Sequence, residues 1–411
     1  MKVRAVQTAS LQLVKETNQA LLFNLIYQQG PVSRAELTQQ TRLSPTTVSS
    51  LVEGLLRQDL VRETGARCSA ASGRKPILLE VNAAGAGLLA FELTESACRC
   101  GLYNLLCQPV DCVQQPLDEP AHLGSQLAAL AAELLSRHNL PPDRLAGMTI
   151  GVPGLVDAAA RRILASTVVP AAVDSDLYGC LESAYPNVPV LLENESNLCA
   201  CAEIAGNGMT QGGSLIYLNI NRGIGAGIMQ DGRLYRGSGG IAGEAGHLSI
   251  DRNGPRCLCG NRGCLEIMAG IPAIVQLAAQ PILAGRPTLI RELAGGDLNR
   301  IDTAVIRQAA EQGDAPAAEI LAEIAGRLAC GINSIINLTN PPAVVLGGEI
   351  CGLGEGFLQL LKDALAEIAL PASRSRTIVR YAEVQMDAVL LGGARLALAA
   401  LLQRPAVFGS P

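Results

Sequence analysis

The residues best suited to chemistry are one histidine and three cysteines within an 18-residue segment: His247, Cys257, Cys259 and Cys264. Gly, Asn and Pro are interspersed among them, so the segment is expected to form turns. An imidazole and three thiolates are the ligand set of a closed, tetrahedral zinc site. An iron–sulfur cluster fits less well, because one ligand would be a histidine and the cysteines are closely spaced. Core cysteines without a metal are the other alternative, and the pattern favours structural zinc.

A second group of candidate functional residues consists of small hydroxyl side chains near the N-terminus. Two helix-start signals in the sequence predict where these side chains lie. Ser33 with Glu36 is a capping box, and Ser44 followed by Pro45 begins another helix. In that helix the apolar residues recur at the spacing of one buried face: Val48, Leu51, Val52 and Leu55. Hydroxyl side chains occupy the opposite face at its N-terminal end. Two short helices joined by a tight turn, the second presenting a polar N-terminal face, are typical of a helix-turn-helix.

Two candidate strands, residues 60–64 and 76–81, follow this motif and flank a basic turn that contains Arg74 and Lys75. A basic hairpin tip beside a recognition helix suits contact with the DNA backbone or the minor groove. The alternative is a small helical packing module that contacts no DNA. We predict a winged helix-turn-helix over residues 1–81 that binds DNA through these side chains: Ser44, Thr46, Thr47, Ser49, Ser50, Arg74 and Lys75.

The charge distribution agrees with a nucleic-acid-binding head on an acidic body. The first 80 residues hold ten Lys or Arg against six Asp or Glu, a net of +4, which leaves −9 for the rest of a chain whose total is −5. No signal peptide is recognisable, and by inspection no apolar run reaches the roughly 18–20 residues of a membrane span. Thirteen cysteines without a secretory signal argue against a disulfide framework. These features predict a cytoplasmic protein.

From about residue 85 the pattern changes to apolar strands alternating with helices. Strands are expected at residues 88–93, 100–106, 110–116 and 145–151, and a helix at 122–137. A second half is expected to contain strands 188–192, 214–220, 225–230 and 343–346, and a buried helix to close the chain. Strand triplets followed by α/β alternation predict two related α/β lobes with a cleft between them.

These motifs together resemble the ROK family, whose name stands for repressors, open reading frames and kinases. The resemblance covers nearly the whole chain, from Gly-Pro-Val-Ser-Arg at 30–34 and Gly-Arg-Lys-Pro at 73–76 to Leu-Gly-Gly at 346–348, and includes residues 151–157 and Glu193-Asn194. Its most specific part is Glu-x-Gly-His at 244–247 followed by Cys-x-Cys-Gly-x-x-Gly-Cys-x-Glu at 257–266.

The resemblance implies an α/β fold in which the winged helix-turn-helix precedes a two-lobed actin- or hexokinase-like domain. The small lobe would comprise residues 82–194 and 382–411. The large lobe would comprise residues 195–381, with the zinc loop and the dimer interface.

The resemblance also implies a sugar pocket, formed by Asn194, Glu195, Glu244, His247 and Glu266. His247 would use one ring nitrogen for zinc and the other for a sugar hydroxyl, which is sensible because metal binding fixes the ring orientation. The alternative for Glu244 and Glu266 is that they only support the zinc loop.

The segments that align with the kinases' catalytic positions depart from the kinase pattern. Where those enzymes have Asp-x-Gly-x-Thr, this chain has Glu-Leu-Thr-Glu-Ser at 92–96, and where they have Gly-Thr-Gly-x-Gly it has Asn-Arg-Gly-Ile-Gly at 221–225. The general base Asp is replaced by Glu195, which is one methylene longer. We therefore predict no catalytic residue and no enzymatic activity. Arg222 could meet a sugar-borne phosphate or be an ordinary solvated loop arginine.

The resulting hypothesis is a sugar-responsive repressor of genes for carbohydrate uptake or metabolism. Its expected partners are a palindromic double-stranded DNA operator, a sugar or sugar-phosphate effector, and further copies of the chain in a homodimer or tetramer. A membrane sugar-transporter subunit is a further candidate partner. Two other functions stay open: a sugar kinase with residual ATP-dependent activity, and a scaffold that docks on a transporter without binding DNA.

Overall fold

The computed structural model describes residues 11–65, 76–204, 213–374 and 376–403. Arg74 and Lys75 lie outside these residues, so their contribution to DNA binding stays a prediction. The chain divides into two compact units, the first of residues 1–154, 161–193 and 393–411, and the second of residues 155–160 and 194–392. The head and one α/β lobe share the first unit, and a separate domain of residues 1–81 stays a prediction.

The head is a three-helix module with a small sheet. In chain order its elements are α1 Leu11–Gln29, β1 Val32–Ser33, α2 Arg34–Thr41, α3 Pro45–Arg57, β2 Val61–Thr64 and β3 Leu78–Val81. The sheet has the order β1-β3-β2, and both pairings are antiparallel. The two strands expected after α3 are therefore confirmed, whereas the two-residue β1 has no signal in the sequence because it is too short for an alternating pattern.

Both helix-start signals operate as the sequence predicts. The Ser33 hydroxyl accepts from the Glu36 N–H at 3.3 Å, and the Glu36 carboxylate accepts from the Ser33 N–H at 2.7 Å. The Ser44 hydroxyl accepts from the Thr47 N–H at 3.1 Å, and Pro45 is the first helical residue of α3. The apolar face of α3 is buried as expected, over Val48, Leu51, Val52 and Leu55. This face packs against α1 and α2, which leaves the N-terminal polar face of α3 outward.

The first unit continues into a five-stranded mixed sheet with flanking helices. Its elements are β4 Gly87–Leu93, β5 Ala97–Asn104, β6 Pro109–Pro116, α4 Leu123–Arg137, β7 Leu145–Val152, β9 Arg162–Ala165, α5 Gly179–Ala184 and β10 Val190–Asn194. The short strand β8 Leu155–Asp157, between β7 and β9 in the chain, is counted with the second unit. The order is β10-β7-β4-β5-β6, with β4 parallel to β7 and antiparallel to β5. The strand expected at 188–192 was counted with the second half by its order in the chain, and this was wrong: β10 joins the first sheet, whose lobe the family resemblance had given as beginning with residues 82–194. Sequence order does not reveal this pairing.

The second unit has a five-stranded sheet of its own, which confirms two α/β lobes. Its elements begin with α6 Glu195–Ile204, β11 Leu215–Ile220, β12 Ile224–Gln230, β13 Arg233–Leu234, α7 Leu265–Ala269, α8 Ile271–Leu283, α9 Leu289–Leu293 and α10 Thr303–Glu311. They continue with α11 Ala315–Thr339, β14 Ala343–Gly347, α12 Gly354–Ile368, α13 Pro371–Arg374 and β15 Ile378–Tyr381. The sheet order is β13-β12-β11-β14-β15. The chain-closing helix, α14 Ala388–Gln403, follows as expected, and from Gly393 on it belongs to the first unit.

One apolar stretch of the described chain, Leu265–Leu283, is long and apolar enough to cross a membrane by length and composition alone. The sequence inspection missed this stretch. In the structure it is two helices, α7 and α8, separated at Gly270, whose backbone is extended. Leu265, Ile271 and Ile274 lie in the hydrophobic core of the second unit. The buried part of this stretch, 39% of it, therefore packs in that core.

A candidate zinc and sugar site, and a candidate DNA-binding surface

The four predicted metal ligands lie together in the second unit. One ligand atom from each of them falls within 4.8 Å of the others: His247, Cys257, Cys259 and Cys264. Nδ1 of His247 is 3.8 Å from the Cys257 sulfur, and the sulfurs of Cys259 and Cys264 are 3.7 Å apart. Ligands about 2.0–2.3 Å from a tetrahedral zinc ion are separated by roughly 3.6–3.8 Å. The cluster therefore has both the chemistry and the dimensions of a zinc site.

Tight turns bring the three cysteines into this cluster. The Cys257 N–H donates to Asn261 O at 2.8 Å and the Gly260 N–H to Cys257 O at 3.0 Å, which folds the chain around Cys259. Gly263 has φ +57, and a Cβ there would lie 1.8 Å from the carbonyl oxygen of Asp251. Only glycine therefore fits the residue before Cys264.

The thiols differ in their electrostatic surroundings. Burial raises the pKa of Cys264 to about 12, whereas the backbone N–H of Asn261 lowers the pKa of the exposed Cys259. A zinc ion, when bound, would hold the thiols as thiolates and cross-link the loop. The loop residues themselves supply the fixed geometry for this ligand set.

The second ring nitrogen of His247 points to the predicted sugar-binding carboxylate. Nε2 is 4.0 Å from the carboxylate of Glu244, whereas Nδ1 is the nitrogen beside the Cys257 sulfur. Partial burial raises the pKa of Glu244; the neighbouring His247 opposes this rise, and the charge of Glu266 adds to it. His247, Glu244 and Glu266 therefore form one polar cluster, in which the two ring nitrogens of His247 can serve metal and sugar separately.

Glu266 also supports the neighbouring loop. Its Oε2 accepts from the Ile224 N–H at 3.0 Å, and a Cβ on Gly223 would lie 2.8 Å from the same oxygen. One carboxylate oxygen of Glu266 thus holds the start of β12 in place. This contact is the kind expected of a supporting residue, and it is compatible with a sugar contact through the other oxygen.

Asn194 and Glu195 lie at the N-terminal end of α6. Oδ1 of Asn194 accepts from the N–H groups of Ser196 and Asn197, at 2.8 and 3.3 Å, and so caps this helix. A Cβ on Gly225 would lie 2.3 Å from the Ser196 hydroxyl, so the start of α6 packs against the start of β12. The start of β12 therefore contacts both α6, which Asn194 and Glu195 begin, and Glu266.

Sequence reasoning missed Asn219, a buried polar residue of β11. Its Nδ2 donates to Glu195 Oε1 at 3.3 Å, and its Oδ1 accepts from Asn221 Nδ2 at 3.1 Å. Asn219 therefore orients Glu195 and connects it to the loop after β11. The available signal was a single amide in an otherwise apolar strand, because buried polar groups need partners.

The two segments that align with the kinase phosphate loops are occupied by the chain's own groups. In the first unit, Arg99 donates to the Glu92 carboxylate at 2.7 Å, and the Thr94 hydroxyl accepts from the Ala97 N–H at 3.0 Å. In the second unit, Oδ1 of Asn221 accepts from the Glu349 N–H at 2.8 Å. The carboxylate, the hydroxyl and this amide each already have a partner within the protein.

The candidate DNA-binding side chains of the described head surround the start of α3. Ser44, Thr46 and Ser50 are exposed, and Thr47 and Ser49 are half-buried. The Ser44 hydroxyl is 2.8 Å from the hydroxyls of both Thr46 and Thr47. Ser44 is therefore first of all the helix cap, and the other four remain candidates for base contacts.

A helix-turn-helix head precedes an α/β body with a His–Cys₃ cluster, and comparison with known proteins identifies the family of this chain. The chain belongs to the ROK family, whose sequence pattern matches residues 108–400. It is 31% identical to the xylose repressor of Bacillus subtilis (strain 168) over 350 residues, which are 83% of this chain and 84% of the relative. It is 27% identical to the DNA-binding transcriptional dual regulator NagC of Escherichia coli (strain K12), over 92% of this chain and 91% of that one.

Solved structures agree on the fold. A ROK family transcriptional regulator described as a homologue of the Escherichia coli Mlc protein matches with a TM-score of 0.82 and 27% identity, over 95% of this chain and 97% of its own. A ROK hexokinase from Thermus thermophilus matches with a TM-score of 0.64 and 26% identity, over 77% of this chain and 99% of its own. The regulator thus extends over the head, whereas the kinase corresponds in length to the body.

Proposed function

We propose that this protein is a cytoplasmic, sugar-responsive DNA-binding repressor whose kinase-like body is an effector sensor and not an enzyme. The observation that carries the proposal is the winged helix-turn-helix, with small polar side chains outward at the start of α3, on a ROK body. The names of the xylose repressor and of the regulator NagC describe the same kind of activity in relatives that are similar over most of this chain.

The body supports sugar binding without phosphoryl transfer. The proposed hydroxyl-binding groups surround the zinc loop and the start of α6: Asn194, Glu195, Glu244, His247 and Glu266. Phosphoryl transfer depends almost entirely on positioning and on neutralising polyphosphate charge. Here Glu92 is paired with Arg99, and the Glu349 amide is bonded to Asn221, so neither group is available to a nucleotide in this conformation.

Zinc is proposed to hold the loop that carries His247. Because the ion would fix the ring through Nδ1, Nε2 stays directed toward Glu244 and the sugar. A dimer would place two recognition helices about one DNA turn, roughly 34 Å, apart on a palindromic operator. Sugar binding would then weaken operator binding by changing that spacing. Higher assembly to a tetramer, and a transporter subunit as a regulatory partner, belong to the same proposal.

A residual sugar kinase is the second candidate, and the likeness to the hexokinase fold favours it. Glu195 is held by Asn219 and is a carboxylate that could accept a proton from a sugar hydroxyl. The test is to incubate the protein with ATP, magnesium and a panel of hexoses and to measure ADP, with a ROK hexokinase assayed in parallel. We expect no turnover. Turnover above roughly 1 s⁻¹, the low end of ordinary kinases, would show that the body is an enzyme and would contradict the proposed sensor function.

DNA binding is tested by selecting duplexes from a random-sequence library with the full-length protein. We expect a palindromic sequence to be enriched, and a panel of sugars and sugar phosphates to contain one that releases it. Failure to enrich any sequence would favour the DNA-free scaffold.

A further inference from the structure

Arg144 connects the head to the first α/β lobe at the end of α3, while a separate contact joins α1 to α14, where Asn24 Nδ2 donates to Leu402 O at 2.8 Å. Nη1 of Arg144 lies 3.2 Å from the carbonyl oxygen of Gln58 and 3.4 Å from that of Gly85. Nη1 is also 3.5 Å from the carboxylate of Asp59. Gln58 is the C-cap of the recognition helix α3, Gly85 precedes β4, and Arg144 directly precedes β7. One guanidinium therefore joins three segments that are distant in sequence.

The contact with Gln58 is the one best placed to orient α3. Carbonyl groups at the C-terminal end of a helix carry partial negative charge, so a cation there is favourable. The ion pair with Asp59 contributes little by itself, because the side chains are 37% and 49% exposed. Arg144 thus acts mainly by bonding two backbone carbonyls, one of the head and one of the connection to the body.

The connection between head and body is closely packed. A Cβ on Gly85 would lie 1.9 Å from the carbonyl oxygen of Asp59, so only glycine allows this approach. Asn82 bonds the head twice, through Nδ2 to the Asp59 carboxylate at 2.8 Å and through its N–H to Leu60 O at 3.0 Å. The head is therefore held against the body at the end of α3, and Arg144 is the only side chain in this set that comes from beyond the connection.

Arg144 also stands at the start of two paired strands. β4 and β7 are parallel, with Gly87 opposite Leu145, and they run from this junction to the loops after Leu93 and Val152. The β4/β7 pairing therefore connects this junction to those two loops through the sheet.

We propose that Arg144 is a positioning residue for DNA binding, which fixes the angle of α3 and so the half-site spacing that two copies of the head can read. This inference rests on the proposed DNA-binding function. It concerns a residue that contacts no DNA itself and lies at the opposite end of α3 from the candidate base-reading side chains.

The experiment uses the full-length protein and the duplex that the wild type selects from a random-sequence library. Binding is measured on that duplex and on versions with one or two base pairs inserted or removed between the half-sites. For the wild type we expect a steep loss of affinity at every altered spacing. For Arg144→Met we expect about tenfold weaker binding at the selected spacing, the effect of one lost charge-assisted hydrogen bond, and a flattened dependence on spacing.

Two further variants separate positioning from simple stability. Arg286→Met removes an arginine whose partner is the exposed Glu319 of the second unit, and it should leave the spacing profile unchanged. Arg144→Lys keeps a cation and should restore part of the profile. An unchanged spacing profile in Arg144→Met would overturn the inference, and so would an equal loss on all duplexes together with a lower Tm. If the wild type selects no duplex, the proposed DNA-binding function fails and the inference falls with it.

Discussion

At the scale of single residues, the zinc loop combines ligands of very different exposure. Cys264 is fully buried, whereas Cys259 is exposed. Replacing the Cys259 side chain by alanine therefore removes a ligand without leaving a cavity in the core. We expect Cys259→Ala to lower bound zinc from one per chain to near zero, measured by elemental analysis of protein purified without added metal. Cys330→Ala, which removes another exposed thiol, is the control and should retain the metal. Full zinc in both variants would contradict the proposed ligand set.

Two glycines of the same loop make a matched pair. Both have positive φ, +57 at Gly263 and +92 at Gly260, but a Cβ meets the Asp251 carbonyl only at Gly263. Gly260→Ala should therefore cost only the left-handed backbone strain, about 1–2 kcal/mol, and keep its zinc. Gly263→Ala should in addition displace the chain before Cys264 and lose most of the metal. Thermal unfolding and zinc content of the two variants check this, and equal behaviour would show that the Asp251 approach is unimportant.

At the scale of elements, the start of α3 contains one residue that caps the helix, Ser44, and one that is proposed to contact a base, Thr47. Ser44 accepts from the Thr47 N–H, and loss of such a cap costs about 1 kcal/mol of stability. Thr47→Val removes a hydroxyl while keeping the shape of the side chain. Because Ser44 loses the Thr47 hydroxyl but still accepts from the Thr47 N–H, we expect only a small fall in Tm. DNA sequence preference should relax by about 1 kcal/mol at one base position.

The readout for α3 is a competition assay between the selected duplex and its single-base variants. Thr17→Val is the control, since Thr17 lies on α1 and its hydroxyl donates to the Leu13 carbonyl within that helix. Loss of affinity on every sequence alike in Thr47→Val would place Thr47 on the DNA backbone and not at a base edge.

At the scale of the whole molecule, effector and operator must affect each other equally. If a sugar weakens operator binding by a given factor, the operator weakens sugar binding by the same factor. Calorimetric titration of the sugar with and without saturating operator measures this, and Glu244→Ala should abolish the sugar signal in both. If a sugar binds without changing operator affinity, a protein partner must be what controls operator binding.

Local chemistry was readable from the sequence because it depends on neighbours along the chain. The capping box at Ser33, the cap at Ser44 and the buried face of α3 follow from spacings of three and four residues, and the structure confirms all three. The His–Cys₃ cluster was equally readable, since its ligands lie within one short loop. Most strands of the body were also found, because each is a local apolar run.

Tertiary structure decided everything that depends on distant pairing. β10 pairs in the first sheet although it follows a long connection, and part of Leu265–Leu283 is core because other elements of the second unit cover it. Asn219 became a site residue only when β11 carried it beside Glu195. Arg144 has no pattern around it, and its three partners are 59 to 86 residues away. Spacing along the chain specifies hydrogen bonds within a turn or helix, whereas contacts between segments exist only after the chain has closed those loops.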